Sequence, residues 1–236
     1  EIEKLKKSGR PKINQVSIGF SRDGFHWSRP DRKPFLPVSE RRGDWNWGNV
    51  QSAGGCCVVV GDKLYFYVSG RAGKSFPGSP SEDSGCSTGV AFLRRDGFAS
   101  LDADTKSGSI TTRPIRFQGR HLFVNVDAPK GELRAELLDQ NDRPIKPFTL
   151  ANSKPLKGDS TLAKMTWSGT PDLSAVRDQT VRIRFSLKSG SLYSFWVSPD
   201  QSGASYGYLG GGGPGYKSQQ DTVGKAALNR DSSDTK

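Results

Sequence analysis

Residues 56–68 read CCVVVGDKLYFYV. Three valines run into Gly61-Asp62, and Leu64-Tyr65-Phe66-Tyr67-Val68 follows at once, so two short apolar stretches flank a turn-forming pair. β-Branched and aromatic side chains fit a pleated surface, and runs this short, bounded by glycine, are strands and not a buried helix. The segment predicts an antiparallel hairpin.

Outward from it the same pattern recurs on both sides. FSRDGFHW at 20–27 and FLRRDGFAS at 92–100 each set Asp-Gly, a pair that tolerates the positive φ of a type I′ turn, between two apolar stretches. Three hairpins in succession, the first and third alike and roughly 70 residues apart, carry the strand content of one β-propeller blade, with an ordinary antiparallel sandwich as the other arrangement the pattern allows.

Beyond Leu101 the texture changes. Polar, turn-rich residues at 102–109 lead into short strands expected at 109–117, 121–127, 132–139, 165–167, 180–187 and 192–197, with Pro129-Lys130-Gly131 read as a turn between the second and third. In 181–188, VRIRFSLK, apolar residues hold every odd position, which gives one core face and one wet, basic face. This stretch predicts an antiparallel β-sandwich over 104–198. The residues from 199 to 236 are rich in Gly, Ser, Gln and Asp, too polar to build a core, and are expected to be disordered.

Composition agrees with an all-β chain: 28 Gly and 14 Pro in 236 residues, and no apolar run long enough for a membrane span. A net charge of +11 would suit a nucleic-acid binder, yet the cations are dispersed and no recognised nucleic-acid motif accompanies them. No specific nucleic-acid partner is therefore expected; a surface drawn to anionic polymers, acidic polysaccharides among them, is. The single methionine, Met165, lies mid-chain, so the sequence reads as a processed chain or a fragment. Cys56, Cys57 and Cys86 match no zinc spacing with His26 and His121. A bridge from Cys86 to Cys57 or to Cys56, or buried free thiols, are the alternatives, and neither a cofactor nor a metal is implied.

The succession SRDGFHWSRP at 21–30, DWNWGNVQ at 44–51 and DKLYFYVSG at 62–70 resembles the last blades of the five-bladed propellers in glycoside hydrolase family 32-like proteins, and 102–198, closing on LYSFW, resembles their C-terminal sandwich. The resemblance implies a partial propeller over 1–103 (the end of one blade plus one complete blade) ahead of the sandwich. It implies an exported, extracellular or periplasmic protein that acts on or binds oligo- or polysaccharide. The family's catalytic phrases depart here: Arg22-Asp23 and Arg95-Asp96 are followed by Gly where the family has Pro, and Cys86 follows Gly85 where the family has Glu. Catalytic carboxylates are thus expected upstream of Glu1, and a non-catalytic carbohydrate-binding or cell-surface structural protein on the same scaffold is the alternative.

In such a propeller the segment entering an inner strand would face the central axis. Sugars present apolar C–H faces and dense hydroxyls, so a site for them combines aromatic platforms with amide and carboxylate partners. Asp44, Trp45, Trp47, Asn49 and Gln51 supply that set, the tryptophans either lining the axis or packing between blades. Arg71 and Ser69, and Glu82 and Asp83 in the following loop, are further candidates.

Overall fold

The structure, a computed structural model, describes residues 3, 13–21, 24–52, 57–73 and 85–204. The protein is all-β, with twelve strands and a 3-10 turn at Ser174–Val176 among the described residues, of which no helix is long and apolar enough to cross a membrane. It divides into two compact units, Glu1–Arg95 and Asp96–Lys236, so the boundary falls a few residues before the expected 103.

The first unit opens with a two-stranded hairpin, β1 (Phe20–Ser21) and β2 (Trp27–Ser28), closed through Gly24 at φ +78° with its N–H donated to Ser21 Oγ at 2.8 Å. This hairpin contains the first Arg-Asp-Gly-Phe copy, with Ser21 paired to Trp27 across it; Arg22 and Asp23 lie outside the described residues, and Phe25 and His26, expected in the second strand, precede β2. A four-stranded sheet follows: β3 (Asn49–Ser52), β4 (Val58–Val60), β5 (Lys63–Arg71) and β6 (Cys86–Arg94). The CCVVVGDKLYFYV hairpin is β4 and β5, turning at Gly61 with φ +59°. Because β6 pairs with β5 along its whole length, β3 and β4 share the opposite edge, and the sheet is three rows wide. Val50 and Val68 face Val38, with Val16 and Leu36 packed beside them, and Phe35 meets Phe66 edge-on at 5.6 Å.

The second Arg-Asp-Gly-Phe copy does not repeat the first. β6 ends at Arg94, residues 98–100 form no strand, and the next strand, β7 (Leu101–Ala103), belongs to the second unit and pairs with β12 (Gly190–Ser198). A turn dipeptide closes a hairpin only if the residues beyond it find their best partner in the strand before it, and here Leu101 finds Leu192. The fourth row that a propeller blade carries is therefore missing from the sheet of the first unit among the described residues.

The second unit is built from strands in one hydrogen-bonded, nearly closed, barrel-like sheet. Its axis is β9 (His121–Leu138), 18 residues long. β11 (Arg182–Lys188) pairs with the second half of β9 and β12 with the first, along a single antiparallel path broken at Ser189, φ +46°. β7 and β8 (Gly108–Thr111) track β12 and β11 in the same manner, and β10 (Leu156–Lys164) lies on the other edge of β9. The rows β12–β11 and β7–β8 are thus interrupted near one level, where the sheet bends over its own core, while β9 runs through it.

The bend corrects the expectation of a turn at 129–131. Pro129, Lys130 and Gly131 lie inside β9, and the strand continues through them. Inward residues are even before the bend, Leu122, Val124 and Val126, and odd after it, Leu133, Ala135 and Leu137. The pairing with β10 shifts there by three residues, Leu156 opposite Leu133 and Gly158 opposite Ala128, and an odd shift exchanges the faces, which keeps both halves of β9 facing one core. Phe185, Ile183 and Leu187 of β11 fill that core as their alternation predicts, and Trp167 donates its indole N–H to Ala135 O at 2.8 Å. β10 lies at 156–164, just ahead of the strand expected at 165–167. Residues 199–204, expected to be disordered, close over the end of β12: Trp196 Nε1 donates to Gly203 O at 2.7 Å and Ser198 Oγ to Ala204 O at 2.9 Å. The expected tail beyond 204 lies outside the described residues.

Candidate functional site

Alternation along β5 divides the predicted site residues between two faces. Leu64, Phe66, Val68 and Gly70 look toward the core of the first unit; Lys63, Tyr65, Tyr67, Ser69 and Arg71 look the other way. Cross-strand partners share a face, so Asn49 and Gln51, opposite Arg71 and Ser69, join the second set. On the far side Phe92, Val90 and Thr88 stand opposite Tyr65, Tyr67 and Ser69. Val58 completes the row beside Tyr65.

This second face is open and ordered by chemistry along its length. Tyr67 is 50% exposed, Phe92 56% and Val90 42%, and Tyr65 meets Phe92 edge-on at 4.5 Å. Gln51 and Thr88 are exposed beside half-buried Ser69 and Arg71, while Asn49 is buried. An aromatic patch therefore runs into a cluster of amides, hydroxyls and a guanidinium. No Asp or Glu occupies this face of the four strands.

Trp45 lies on the opposite face. Its indole covers Gly70 and Gly89; a Cβ built on either would come within 2.4 Å and 2.8 Å of the ring. Only glycine at both positions lets the indole lie that close to the sheet. Trp47 is buried, with the Arg42 guanidinium 5.8 Å from its ring centroid. Asp44 shapes the turn that carries both tryptophans: Ser39 Oγ donates to its carboxylate at 2.5 Å, Arg41 Nε lies 3.1 Å away, and its carbonyl accepts the Trp47 N–H at 3.0 Å. The structure thus brings Asn49, Gln51, Ser69 and Arg71 together, buries Trp47, and sets Trp45, 40% exposed, on the opposite face of the sheet from them, with half-buried Asp44 in the turn that carries both. Glu82 and Asp83 lie outside the described residues.

Tyr65, Tyr67 and Phe92 were not singled out as site residues. Their signal was present, since five consecutive apolar residues at 64–68 leave no polar position for a solvated face. An isolated surface strand alternates, and this one does not.

Cys57 carries a free thiol. Its neighbour Val58 pairs with Tyr65, whereas Cys86 pairs with Arg71 from the other edge of β5. That offset is about 20 Å along the strand, against the roughly 4.4–6.8 Å between Cα atoms that a disulfide spans, and it rules out the Cys57–Cys86 bridge. Cys56 lies outside the described residues.

The second unit holds a smaller cleft, with room for about one water, between Arg120-His121, Lys164 and Asp172. Burial and the Lys164 cation hold the His121 imidazole below its ordinary range, with Asp172 opposing them. Asp172 is itself held below the usual carboxylate range by a hydrogen bond from Ser174. Among the described residues no group of three or more His, Cys, Asp and Glu side chains is placed to hold a metal ion.

Comparison with known protein families, curated proteins and solved structures finds no match for this chain. The reading of the open face therefore rests on its chemistry.

Proposed function

We propose that the first unit is a carbohydrate-binding surface, with glycan laid across the open face of β3, β5 and β6. One observation carries this: exposed Tyr67 and Phe92 stand in register with the amide and hydroxyl cluster of Gln51, Ser69 and Thr88 on a single sheet face. Aromatic rings take the C–H faces of sugars, and the polar cluster takes their hydroxyls. The expected kinship with glycoside hydrolase family 32-like propellers is part of the proposal and is supported by the antiparallel hairpins that follow one another through the first unit.

Binding is the activity these side chains support. Retaining hydrolysis needs two carboxyl groups about 5–5.5 Å apart across the sugar, and among the described residues the strands of this face carry no Asp or Glu. A glycan panel tests the reading, with Tyr67→Ala and Phe92→Ala compared with the unaltered chain. Each should weaken binding of the folded protein by about 1–2 kcal/mol, roughly 5- to 30-fold, with the melting temperature lowered only modestly, more for Phe92, which also loses its edge-on contact with Tyr65. Loss of affinity that only tracks loss of fold would sink the proposal.

A second reading is favoured by exposed Val58 and Val90, which suit the packing of another sheet. In that case Tyr67→Ala lowers self-association or solubility and leaves the glycan panel untouched.

A further inference from the structure

We infer that the β1–β2 hairpin docks the first unit on an anionic lipid surface; this is independent of the carbohydrate reading and uses another part of the unit. Phe25, 87% exposed, lies in the turn, and Trp27, 69% exposed, is the first paired residue behind it. They are the two most exposed large apolar side chains among the described residues. Single exposed apolar residues are ordinary, whereas two aromatic rings gathered at one tight turn form a patch. The Trp27 indole lies over Gly19, where a Cβ would come within 3.6 Å of the ring, and its N–H donates to Gly24 O at 3.0 Å. With that donor satisfied inside the hairpin, the outer surface of both rings is hydrocarbon, which enters an apolar medium without stranding a polar group.

Cations stand behind the rings. β2 runs away from the turn, so Arg29 follows Trp27 by about 7 Å at roughly 3.3 Å per residue, and its guanidinium donates to Arg32 O at 2.9 Å. The chain then returns to the open end of the hairpin, where Phe35 N–H donates to Val16 O at 2.8 Å. Arg29, Arg32 and Lys33 are exposed, and among the described residues no carboxylate pairs with their side chains; Asp31 accepts the Lys33 backbone N–H at 2.9 Å. Over 22–33 the sequence sets Arg22, Arg29, Arg32 and Lys33 against Asp23 and Asp31, a balance of +2 that already includes the two residues outside the described set. Rings ahead and cations several Å behind them match a membrane interface, with the rings among headgroups and upper acyl chains and the cations level with the phosphates.

The same order argues against nucleic acid. A single strand stacks its bases on ring faces in a groove that cations follow along its length. Here one face of Trp27 is covered by Gly19, the rings project at the end of a hairpin, and Arg29, Arg32 and Lys33 lie behind them. A lipid surface requires no complementary pocket, and insertion to roughly 5–10 Å admits both rings and brings Arg29 to the headgroups.

The test uses the whole chain and vesicles of phosphatidylcholine, alone or mixed with phosphatidylserine, read by co-sedimentation. The mixed vesicles should bind about tenfold or more tightly at low salt, and the preference should shrink at about 0.5 M salt. Phe25→Ala and Trp27→Ala, which leave the charge unchanged, should each weaken binding to the mixed vesicles about tenfold. Phe25→Ala, which removes the more exposed ring, keeps the test decisive if Trp27→Ala loosens the hairpin. Arg32→Glu combined with Lys33→Glu should abolish most of the preference, and Lys106→Glu in the other unit should not. Brominated acyl chains should quench tryptophan fluorescence in the unaltered chain and quench it far less in Trp27→Phe.

Binding that survives both ring variants is general attraction to a chain of net charge +11 and overturns the inference. Binding lost in Tyr67→Ala and kept in the ring variants assigns the contact to the open sheet face and overturns it as well. Equal binding to the two kinds of vesicle, still sensitive to the rings, overturns the anionic requirement. Binding to neither overturns the whole inference, and a uridine hexanucleotide then bound with sensitivity to Phe25→Ala assigns the tip to nucleic acid.

Discussion

Gly70 and Gly89 show how one absent methyl group positions a large side chain. Each is the place where the Trp45 indole meets the sheet, and Gly70→Ala would drive a Cβ to 2.4 Å from the ring. The ring must then lift away, at a cost of about 1–3 kcal/mol. Urea unfolding followed by tryptophan fluorescence should show that loss, while glycan binding on the opposite face stays within twofold. His121 gives a second prediction at this scale. Its folded pKa lies below the ordinary 6.5, so between those values the unfolded chain binds more protons than the folded one. The stability this contributes is complete above about pH 6.5 and is lost as pH falls through the window beneath it. Melting temperature measured from pH 7 to pH 5 should decline, and His121→Gln should flatten that decline. Asp172, lowered from 3.8, adds stability present above that value and lost only in stronger acid, so the two effects separate along the pH axis.

At the level of elements, the bend in the second unit depends on close approach of backbones. A Cβ on Gly131 would lie 1.7 Å from Lys188 O, and one on Gly190 would lie 2.6 Å from Asp127 O. Neither neighbour is a flexible side chain that can move aside. Gly131→Ala should destabilise the unit by about 3 kcal/mol or more, beyond the ordinary cost of overpacking; thermal melts by circular dichroism measure it. These glycines also explain what could be read in advance. Strand identity was legible wherever a short β-branched or alternating run stood between turn residues, as in 58–68 and 181–188. Pro129-Lys130-Gly131 misled because a proline and glycine beside a lysine signal a reversal locally, whereas Lys188 and Asp127, far apart in sequence, decide that the chain passes through. The duplicated Arg-Asp-Gly-Phe misled for the same reason: its second copy yields to Leu192, about 90 residues away. Half of the candidate site was legible as polar residue types in one short segment. The other half was not, because the two faces of β5 are told apart only by what covers them.

Across the whole molecule the two units are unequal. The second has a continuous core around Leu133, Phe148, Ile183 and Phe185, each fully buried, whereas buried Val38, Val50 and Val68 form the small core cluster of the first sheet. Residues 96–204 expressed alone should fold and unfold cooperatively, and residues 1–95 alone should aggregate through the apolar half of their open face; light scattering and a thermal scan distinguish the outcomes. A first unit that stays monomeric and melts sharply would show that the face needs no cover. The pairing of Leu101 with Leu192 also sets an order of events while the protein is being made. β7 leaves the ribosome about 90 residues before its partner exists, and at about 5–20 residues per second that is roughly 5–18 seconds. Through that interval a strand edge waits unpaired, open to other chains. Synthesis rate through 104–190, and any chaperone that holds the nascent segment, should therefore govern yield more strongly than the stability of the finished fold.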